Sequence, residues 1–207
     1  MMIVVVEGVS AAGKTTWSSL QPPEQVVLEA IPLSATLASS HDRASHFVDL
    51  HVRRWCNALD AEQSCGIAIC DTDPFKLHYA WCELRAGLCS VSDWQNALAA
   101  HRRAFHENRL GLADAVVFLN PAESIIRHRR ATDLTRRRRR FEKHFSFLPW
   151  LVEWYKAIDR VEPGRVFSGV DAEMPSVAIR QQRSGVEVFD AFLAELASVS
   201  DLAILST

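Results

Sequence analysis

The sequence predicts a three-layer α/β fold, in which helices cover both faces of a sheet of five parallel strands. Short runs rich in β-branched residues alternate with longer stretches of helical periodicity, as in successive βαβ units. These runs are apolar throughout, which is typical of parallel strands that are buried on both faces. The chain has 207 residues, of which 48% are hydrophobic and 23% charged. We therefore expect residues 1–207 to form a single globular domain.

Five short apolar runs are the predicted strands. They are Met2 to Glu7, Val26 to Glu29, Gly66 to Asp71, Ala115 to Asn120 and Arg165 to Val170. Apolar residues at helical spacing predict the helices between and after the strands. These are Gly13 to Leu20, Arg43 to Ala61, Pro74 to Leu88, Ser92 to Arg109, Ala122 to Ala131, Phe145 to Asp159 and Gly185 to Ser198. Trp55, Trp81 and Trp94 lie on these helices at a spacing that favours packing in the core.

Gly8 to Thr15 match the phosphate-binding pattern G-x-x-x-x-G-K-[ST] between the first strand and the first helix. Glycines let such a loop curl so that successive backbone N–H groups point at a polyphosphate. In this role Lys14 would reach the β and γ phosphates of ATP, and the Thr15 hydroxyl would hold Mg²⁺. The residues predicted to bind ATP are Gly8, Ser10, Ala11, Ala12, Gly13, Lys14, Thr15 and Thr16.

Other signatures narrow the class of P-loop protein. A GTPase carries D-x-x-G after its third strand and N-K-x-D after a later one, but the sequence reads D-T-D-P from Asp71 and N-P-A-E from Asn120. A motor or AAA-type ATPase needs a strand ending in adjacent acidic residues and a longer chain. These observations favour a small-molecule kinase.

Three carboxylates follow predicted strands, at the sheet edge where α/β proteins bind ligands. They are Glu29, Asp71 and Asp73. Transfer of a phosphoryl group to an alcohol needs one carboxylate to accept the hydroxyl proton and another acidic group to organise hydrated Mg²⁺. We assign Asp71 to the Mg²⁺ shell and leave the general base open between Glu29 and Asp73. Asp73 before Pro74 is also a suitable helix cap.

A basic island, residues 127–143, carries a local charge of +7 in a chain whose formal net charge is −2. Guanidinium groups on a closing lid would neutralise the charge of a transferring phosphoryl group. We therefore predict a helical lid at about residues 127–143, with Arg130, Arg136 and Arg137 reaching the phosphates of ATP. A nucleic-acid patch and an inert solvated face are the alternatives.

Taken together, these motifs resemble the nucleoside and nucleotide kinase group of P-loop enzymes. Ala113 to Leu119 and the following Pro-Ala-Glu and arginine series resemble a pattern of deoxynucleoside and thymidylate kinases, with Ala113 in place of the usual proline. The D-T-D at Asp71 to Asp73 is more similar to that of nicotinamide riboside kinases. The first likeness implies Glu29 as the base and the second implies Asp73. Both imply the P-loop NTPase fold.

The predicted function is transfer of the γ-phosphate of ATP, with Mg²⁺, to a nucleoside, a nucleotide or a hydroxylated metabolite or antibiotic. The alternatives are a regulatory module that hydrolyses ATP and a polynucleotide end kinase. The N-terminal apolar run is too short for a membrane span and lacks a signal peptide's basic flank. Five cysteines without a C-x-x-C pair fit reduced thiols. We expect a cytoplasmic enzyme with a small-molecule partner, no nucleic acid and no membrane, and leave open whether it forms a homodimer.

Overall fold

The computed structural model describes residues 1–29, 39–134, 140–169, 174–175 and 182–200. Five parallel strands form one sheet in the order β2-β3-β1-β4-β5. The strands are β1 (Met2–Glu7), β2 (Val26–Val27), β3 (Ile67–Asp71), β4 (Ala115–Leu119) and β5 (Val166–Gly169). The predicted fold class is confirmed.

β1 is the central strand of the sheet, with two strands on either side of it. Val4 pairs with Ile69 of β3 on one side and with Ala115 of β4 on the other. Residues 3–6 are completely buried, since helices cover both faces of the sheet. The carboxyl ends of β1, β3 and β4 therefore meet at one edge of the sheet.

The described helices number eight, apart from one short 3₁₀ turn at Pro23–Gln25. They are α1 (Lys14–Ser18), α2 (Ser40–Cys65), α3 (Leu77–Arg85), α4 (Val91–His106), α5 (Glu123–Thr132), α6 (Phe141–Phe145), α7 (Leu148–Val161) and α8 (Val186–Ser200). Helices α3, α4, α7 and α8 enclose an aromatic cluster around Phe75, whose ring lies 5.1 Å from that of Phe105 and 5.4 Å from that of Trp154. Trp81 and Trp94 are fully buried, which confirms the interpretation of these residues as core.

Two predicted helices differ from the structure. The helix expected over Phe145 to Asp159 begins only at Leu148, because α6 ends at Phe145 and Pro149 lies in the first turn of α7. Proline has no N–H to donate and a fixed φ, so it suits a helix start and not a helix interior. The helix expected from Pro74 begins only at Leu77. Val170, the expected end of the last strand, lies outside the described residues.

None of the described helices is both long enough and apolar enough to cross a bilayer. The five cysteines all lie within the described residues and have free thiols.

Candidate active site

The P-loop, residues 8–15, joins the end of β1 to α1. Gly8 and Gly13 have φ angles of +152° and +113°, which residues with a Cβ rarely adopt. A Cβ on Gly8 would lie 2.4 Å from the carbonyl oxygen of Leu119. The first glycine of the motif is therefore required both by its backbone conformation and by the close approach of β4.

All eight residues predicted to bind ATP line one cavity of about 1550 Å³ at the carboxyl edge of the sheet. Lys14 Nζ donates hydrogen bonds to the carbonyl oxygens of Gly8, at 2.5 Å, and Val9, at 3.3 Å. Its ammonium thus lies inside the curl of the loop, on the side where P-loop proteins hold the β and γ phosphates.

Glu7, the last residue of β1, is a buried carboxylate that the sequence analysis missed. Its Oε1 accepts a hydrogen bond from the Gly8 amide at 2.9 Å, and its Oε2 accepts one from the Asp73 amide at 3.1 Å. Burial alone would raise the pKa of Glu7, but the charge of Lys14, 3.7 Å away, and the Gly8 amide help to hold it below its ordinary value. Glu7 therefore carries a negative charge beneath the P-loop and ties it to the segment after β3. The only sequence signal for it was its position between a buried strand and the first glycine of the motif.

His78 lies on the other side of Glu7 and also lines the cavity. Its Nδ1 lies 3.2 Å from the Phe75 carbonyl oxygen and its Nε2 lies 3.7 Å from Glu7 Oε2. Burial lowers the pKa of His78 to about 4, so the ring is neutral at neutral pH. Because a carbonyl only accepts, Nδ1 carries the proton.

Thr15 and Asp71 meet as predicted. Thr15 Oγ1 lies 3.1 Å from Asp71 Oδ2 at the wall of the cavity. A hydroxyl and a carboxylate are oxygen ligands of the kind that Mg²⁺ prefers, and Mg²⁺ completes its shell with water and substrate phosphates. The pair therefore fits the predicted ion. The described residues contain no group of three or more histidine, cysteine or acidic side chains that would hold a metal by themselves.

Arg54 of α2 holds the segment that follows β3. Its buried guanidinium donates to three consecutive carbonyl oxygens, those of Asp71 and Thr72, both at 2.9 Å, and that of Asp73 at 3.4 Å. Thr72 has a φ of +75°, which is an outlier for a β-branched residue. Its side-chain hydroxyl is buried and has no hydrogen-bond partner within the described parts of the chain. The clamp thus maintains a strained residue at the cavity wall.

Asp73 is buried and lines neither of the cavities described here. Its Oδ1 accepts from the Phe75 amide at 2.8 Å, and its Oδ2 accepts from the Tyr155 hydroxyl at 3.4 Å. Burial raises the pKa of Asp73 to about 7, and the nearby charge of Glu7 adds to the rise. The Asp73 carboxyl therefore closes a turn ahead of α3 and is not part of either cavity wall.

Glu29 lies two residues beyond β2 and contributes to two cavities. The second cavity, of about 520 Å³, lies among α2, α3 and α4. Within the described parts of the chain, three residues line both cavities: Glu29, Lys76 and Tyr79. The Lys76 ammonium forms an ion pair with the Glu29 carboxylate. Glu29 is therefore the predicted acidic residue that faces both spaces.

Charged groups in the second cavity are largely paired with other protein groups. Beyond its clamp, Arg54 also donates from Nε to the Leu28 carbonyl oxygen at 3.3 Å. Glu83 accepts from Lys143 at 2.6 Å, and Asp93 accepts from Ser40 and Ser90. The remaining arginines of the lining, Arg43 and Arg140, are exposed. His51 and His101 contact each other at 3.1 Å, and burial lowers the pKa of both. Among the described residues of the lining, the charged groups other than Arg43 and Arg140 therefore have protein partners, and apolar side chains such as Phe47 and Leu50 share the wall with them.

Among the described arginines of the basic island, Arg129 reaches the P-loop. Its Nη1 donates to the Ala12 carbonyl oxygen at 2.5 Å, and the side chain lines the first cavity. Arg130 lies elsewhere: its guanidinium is 4.7 Å from the Phe141 ring centre and 3.4 Å from Glu142. Arg136 and Arg137 fall outside the described residues.

The strand order and the P-loop after β1 define the class of this fold, which is that of the P-loop NTPases. Within that class, the fold is the P-loop kinase fold of deoxyadenosine kinase structures, which confirms the resemblance at the level of the fold. The M. mycoides deoxyadenosine kinase with bound dATP has a TM-score of 0.58 at 14% identity, over 84% of this chain and 93% of that one. The structure of the same kinase with bound dCTP has a TM-score of 0.51 at 14% identity, again over 84% of this chain and 93% of that one. The structure with the products dCMP and dCDP has a TM-score of 0.50 at 11% identity, over 97% of this chain and 100% of that one. No family model matches the sequence, and no curated protein matches it.

Proposed function

We propose that this chain is an ATP-dependent kinase that phosphorylates a hydroxyl group of a small uncharged acceptor, with a nucleoside as the first candidate. The observation that carries the proposal is the junction of the two cavities. ATP would occupy the P-loop cavity and the acceptor would occupy the second cavity. Glu29 lies where the acceptor hydroxyl would meet the γ-phosphate.

The charge pattern of the second cavity supports an uncharged acceptor over a nucleotide. Its buried cation, Arg54, is committed to four backbone carbonyl oxygens, and Lys76 is paired with Glu29. A phosphate bound to Arg54 would have to displace a backbone carbonyl oxygen, which would leave a buried polar group unpaired, and a phosphate bound to Lys76 would compete with the Glu29 carboxylate. In the neutral pair of His51 and His101, the His101 ring nitrogens contact the Ala97 carbonyl oxygen and His51 Nδ1, so His51 Nε2 is the ring nitrogen that suits hydrogen bonding to a heterocycle or a sugar. The kinase neighbours, whose bound ligands are deoxynucleotides, support a nucleoside.

In the proposed reaction, the acceptor hydroxyl oxygen forms a bond to the γ-phosphorus of ATP. The bond from that phosphorus to the β–γ bridging oxygen breaks, and its electrons leave with ADP. Glu29 accepts the hydroxyl proton. Lys14 and the P-loop amides orient the phosphates, and Arg129 adds positive charge beside the loop. Thr15 and Asp71 would hold Mg²⁺, an ion that would supply charge neutralisation at the phosphates of ATP.

The contacts of the described arginines of the basic island favour the interpretation of this segment as a lid, and they are less consistent with a nucleic-acid-binding surface. Arg129 contacts the P-loop, whereas Arg127 and Arg130 pair with acidic residues of the same region, Glu123 and Glu142. Arginine side chains that are paired with neighbouring carboxylates contribute less to the binding of a long polyanion than unpaired, solvated arginines would. We therefore treat the polynucleotide end kinase as the alternative function, and the assay below tests it with an oligonucleotide acceptor.

The test is ADP release by the purified protein with ATP and Mg²⁺. The added acceptors are nucleosides, nucleoside monophosphates, sugars, hydroxylated antibiotics and a short oligonucleotide. We expect a nucleoside to stimulate ADP release, and the phosphorylated product to appear in equal amount. Stimulation by the oligonucleotide alone would support the end kinase. ADP release that no acceptor stimulates would contradict the proposal and favour a regulatory ATPase.

Two variants decide the general base. Glu29→Gln is expected to lower kcat by about 10²–10⁴ while ATP affinity stays within threefold of wild type. Asp73→Asn is the matched control, because the Asp73 carboxyl is buried outside both cavities, and it should keep kcat within about threefold. The reverse pattern would assign the base to Asp73.

A further inference from the structure

Lys76 lies at the junction of the two cavities, between β3 and α3, and the sequence motifs gave it no role. Its side chain lines both spaces and is 23% exposed. No other cationic side chain in the described part of the chain lines both cavities. A lysine on an ordinary protein surface keeps its ammonium in water. The position of this ammonium between two ligand-sized spaces therefore calls for a functional explanation.

The charge of Lys76 acts on groups on both sides of the junction. Burial is the main cause of the low pKa of His78, on the P-loop side, and of His51, in the second cavity, and the Lys76 charge lowers both further. It also helps to hold down the pKa of Glu7, against the effect of burial. The ammonium is thus close enough to both cavities to stabilise negative charge that develops between them.

We propose that Lys76 is a catalytic residue of the kinase reaction, an inference that rests on the function proposed above. Before transfer, its ammonium holds the Glu29 carboxylate toward the acceptor hydroxyl. During transfer, the new bond from the acceptor oxygen to phosphorus forms while the bond from phosphorus to the bridging oxygen of ADP breaks. The hydroxyl proton passes to Glu29, and the Lys76 ammonium contacts the oxygens of the transferring phosphoryl group.

Proton transfer explains why one cation serves both purposes. As Glu29 takes up the proton, its carboxyl becomes neutral and its attraction for Lys76 declines. The ammonium is then free to interact with the phosphoryl oxygens, over which negative charge is spread in the transition state. This interaction strengthens as the reaction proceeds, and such interactions raise kcat more than they improve binding.

Three variants test the proposal. Lys76→Met removes the charge with little change in length, Lys76→Arg keeps the charge, and Lys156→Met removes a lysine from the exposed face of α7. We expect Lys76→Met to lower kcat by about 10²–10³, in the range found when one transition-state donor is removed. ATP affinity measured by calorimetry should stay within about threefold, because Lys14 and the loop amides provide that binding. Lys76→Arg should recover at least tenfold of the lost rate, and Lys156→Met should match wild type.

A double variant tests the coupling to Glu29. If the two residues act in one step, Glu29→Gln with Lys76→Met should be no more than about tenfold slower than Glu29→Gln alone, because effects within one catalytic unit do not add. A multiplicative loss would contradict the shared step.

The outcomes separate this inference from the proposed function. If wild type transfers phosphate to no acceptor, the proposed function fails. If wild type and Glu29→Gln behave as expected but Lys76→Met retains a kcat within threefold of wild type, only the role of Lys76 fails. A Lys76→Met defect confined to the KM of the acceptor would also overturn it, because the proposal requires a loss of kcat.

Discussion

Thr72→Gly is expected to make the protein more stable, although the residue lies in the candidate active site. Thr72 has a φ of +75° and a buried hydroxyl with no partner among the described residues. The left-handed conformation costs a residue with a Cβ roughly 1–2 kcal/mol. A buried hydroxyl without a hydrogen bond costs roughly 1–3 kcal/mol. Glycine removes both penalties.

Two losses oppose this gain. Glycine has more freedom in the unfolded chain, which costs roughly 0.5–1 kcal/mol. Removal of the buried β and methyl carbons costs about 0.8 kcal/mol for each carbon. The balance is a stabilisation of about 1 kcal/mol, which for a chain of this length raises Tm by about 2–4 °C.

Urea unfolding of four variants separates the contributions. Thr72→Val removes the hydroxyl but keeps the strained, branched side chain, so its difference from wild type reports mainly the unpaired hydroxyl. Thr72→Ala and Thr72→Gly differ by a single carbon, so their difference reports mainly the backbone strain. Asn108→Gly is the matched control, because Asn108 has a φ of +53° and asparagine tolerates this conformation well. Thr72→Ala removes the branch and the hydroxyl together. A Thr72→Gly protein less stable than wild type by 1 kcal/mol or more would refute the strain argument.

Gly8→Ala should destabilise the protein by more than about 2 kcal/mol in urea unfolding, because its Cβ would lie 2.4 Å from the Leu119 carbonyl oxygen. A variant as stable as wild type would contradict this prediction and show that β4 can move away from the loop at little cost. Asp73 has a folded pKa of about 7, above its unfolded value, so its contribution to stability is lost as pH rises from about 4 through 7. Asp73→Asn should therefore gain stability relative to wild type across that range, and a constant difference would contradict the raised pKa. Arg129→Ala should weaken ATP binding by about tenfold, the loss of one charged contact, whereas Arg130→Ala should leave the affinity measured by calorimetry unchanged.

Local patterns predicted the sheet and the P-loop well. The continuous apolar runs of β1 and β4 and the glycine spacing of the loop are set by residues near one another in sequence. β2 is shorter than predicted, at Val26–Val27, because strand length depends on the neighbour that pairs with it. Pro149, in the first turn of α7, is the sequence signal for the start of that helix, which the prediction placed three residues too early.

The sequence predicted that the site lies at the carboxyl ends of the strands. It was much less able to predict which residue there has which role. Glu29 and Asp73 both follow strands, and only the three-dimensional structure distinguishes the one that faces the cavities. Arg129 and Arg130 are adjacent in sequence but point about 100° apart on a helix, so identifying the one at the P-loop requires the rotation of α5. Glu7 acts through partners distant in sequence, such as the Asp73 amide 66 residues away, and such contacts leave no local pattern.

Arg54 has a further consequence for the shape of the molecule. Its guanidinium lies between the end of β2, where it binds the Leu28 carbonyl oxygen, and the segment after β3. The last paired residues of these two strands are Val27 and Cys70. Beyond these residues the Arg54 guanidinium, which is planar and has five N–H donors, binds backbone carbonyl oxygens that would accept hydrogen bonds from the neighbouring strand if the pairing continued. Arg54 thus acts as a wedge that ends the pairing and keeps the two chain segments apart, and the second cavity opens beside the gap that it maintains.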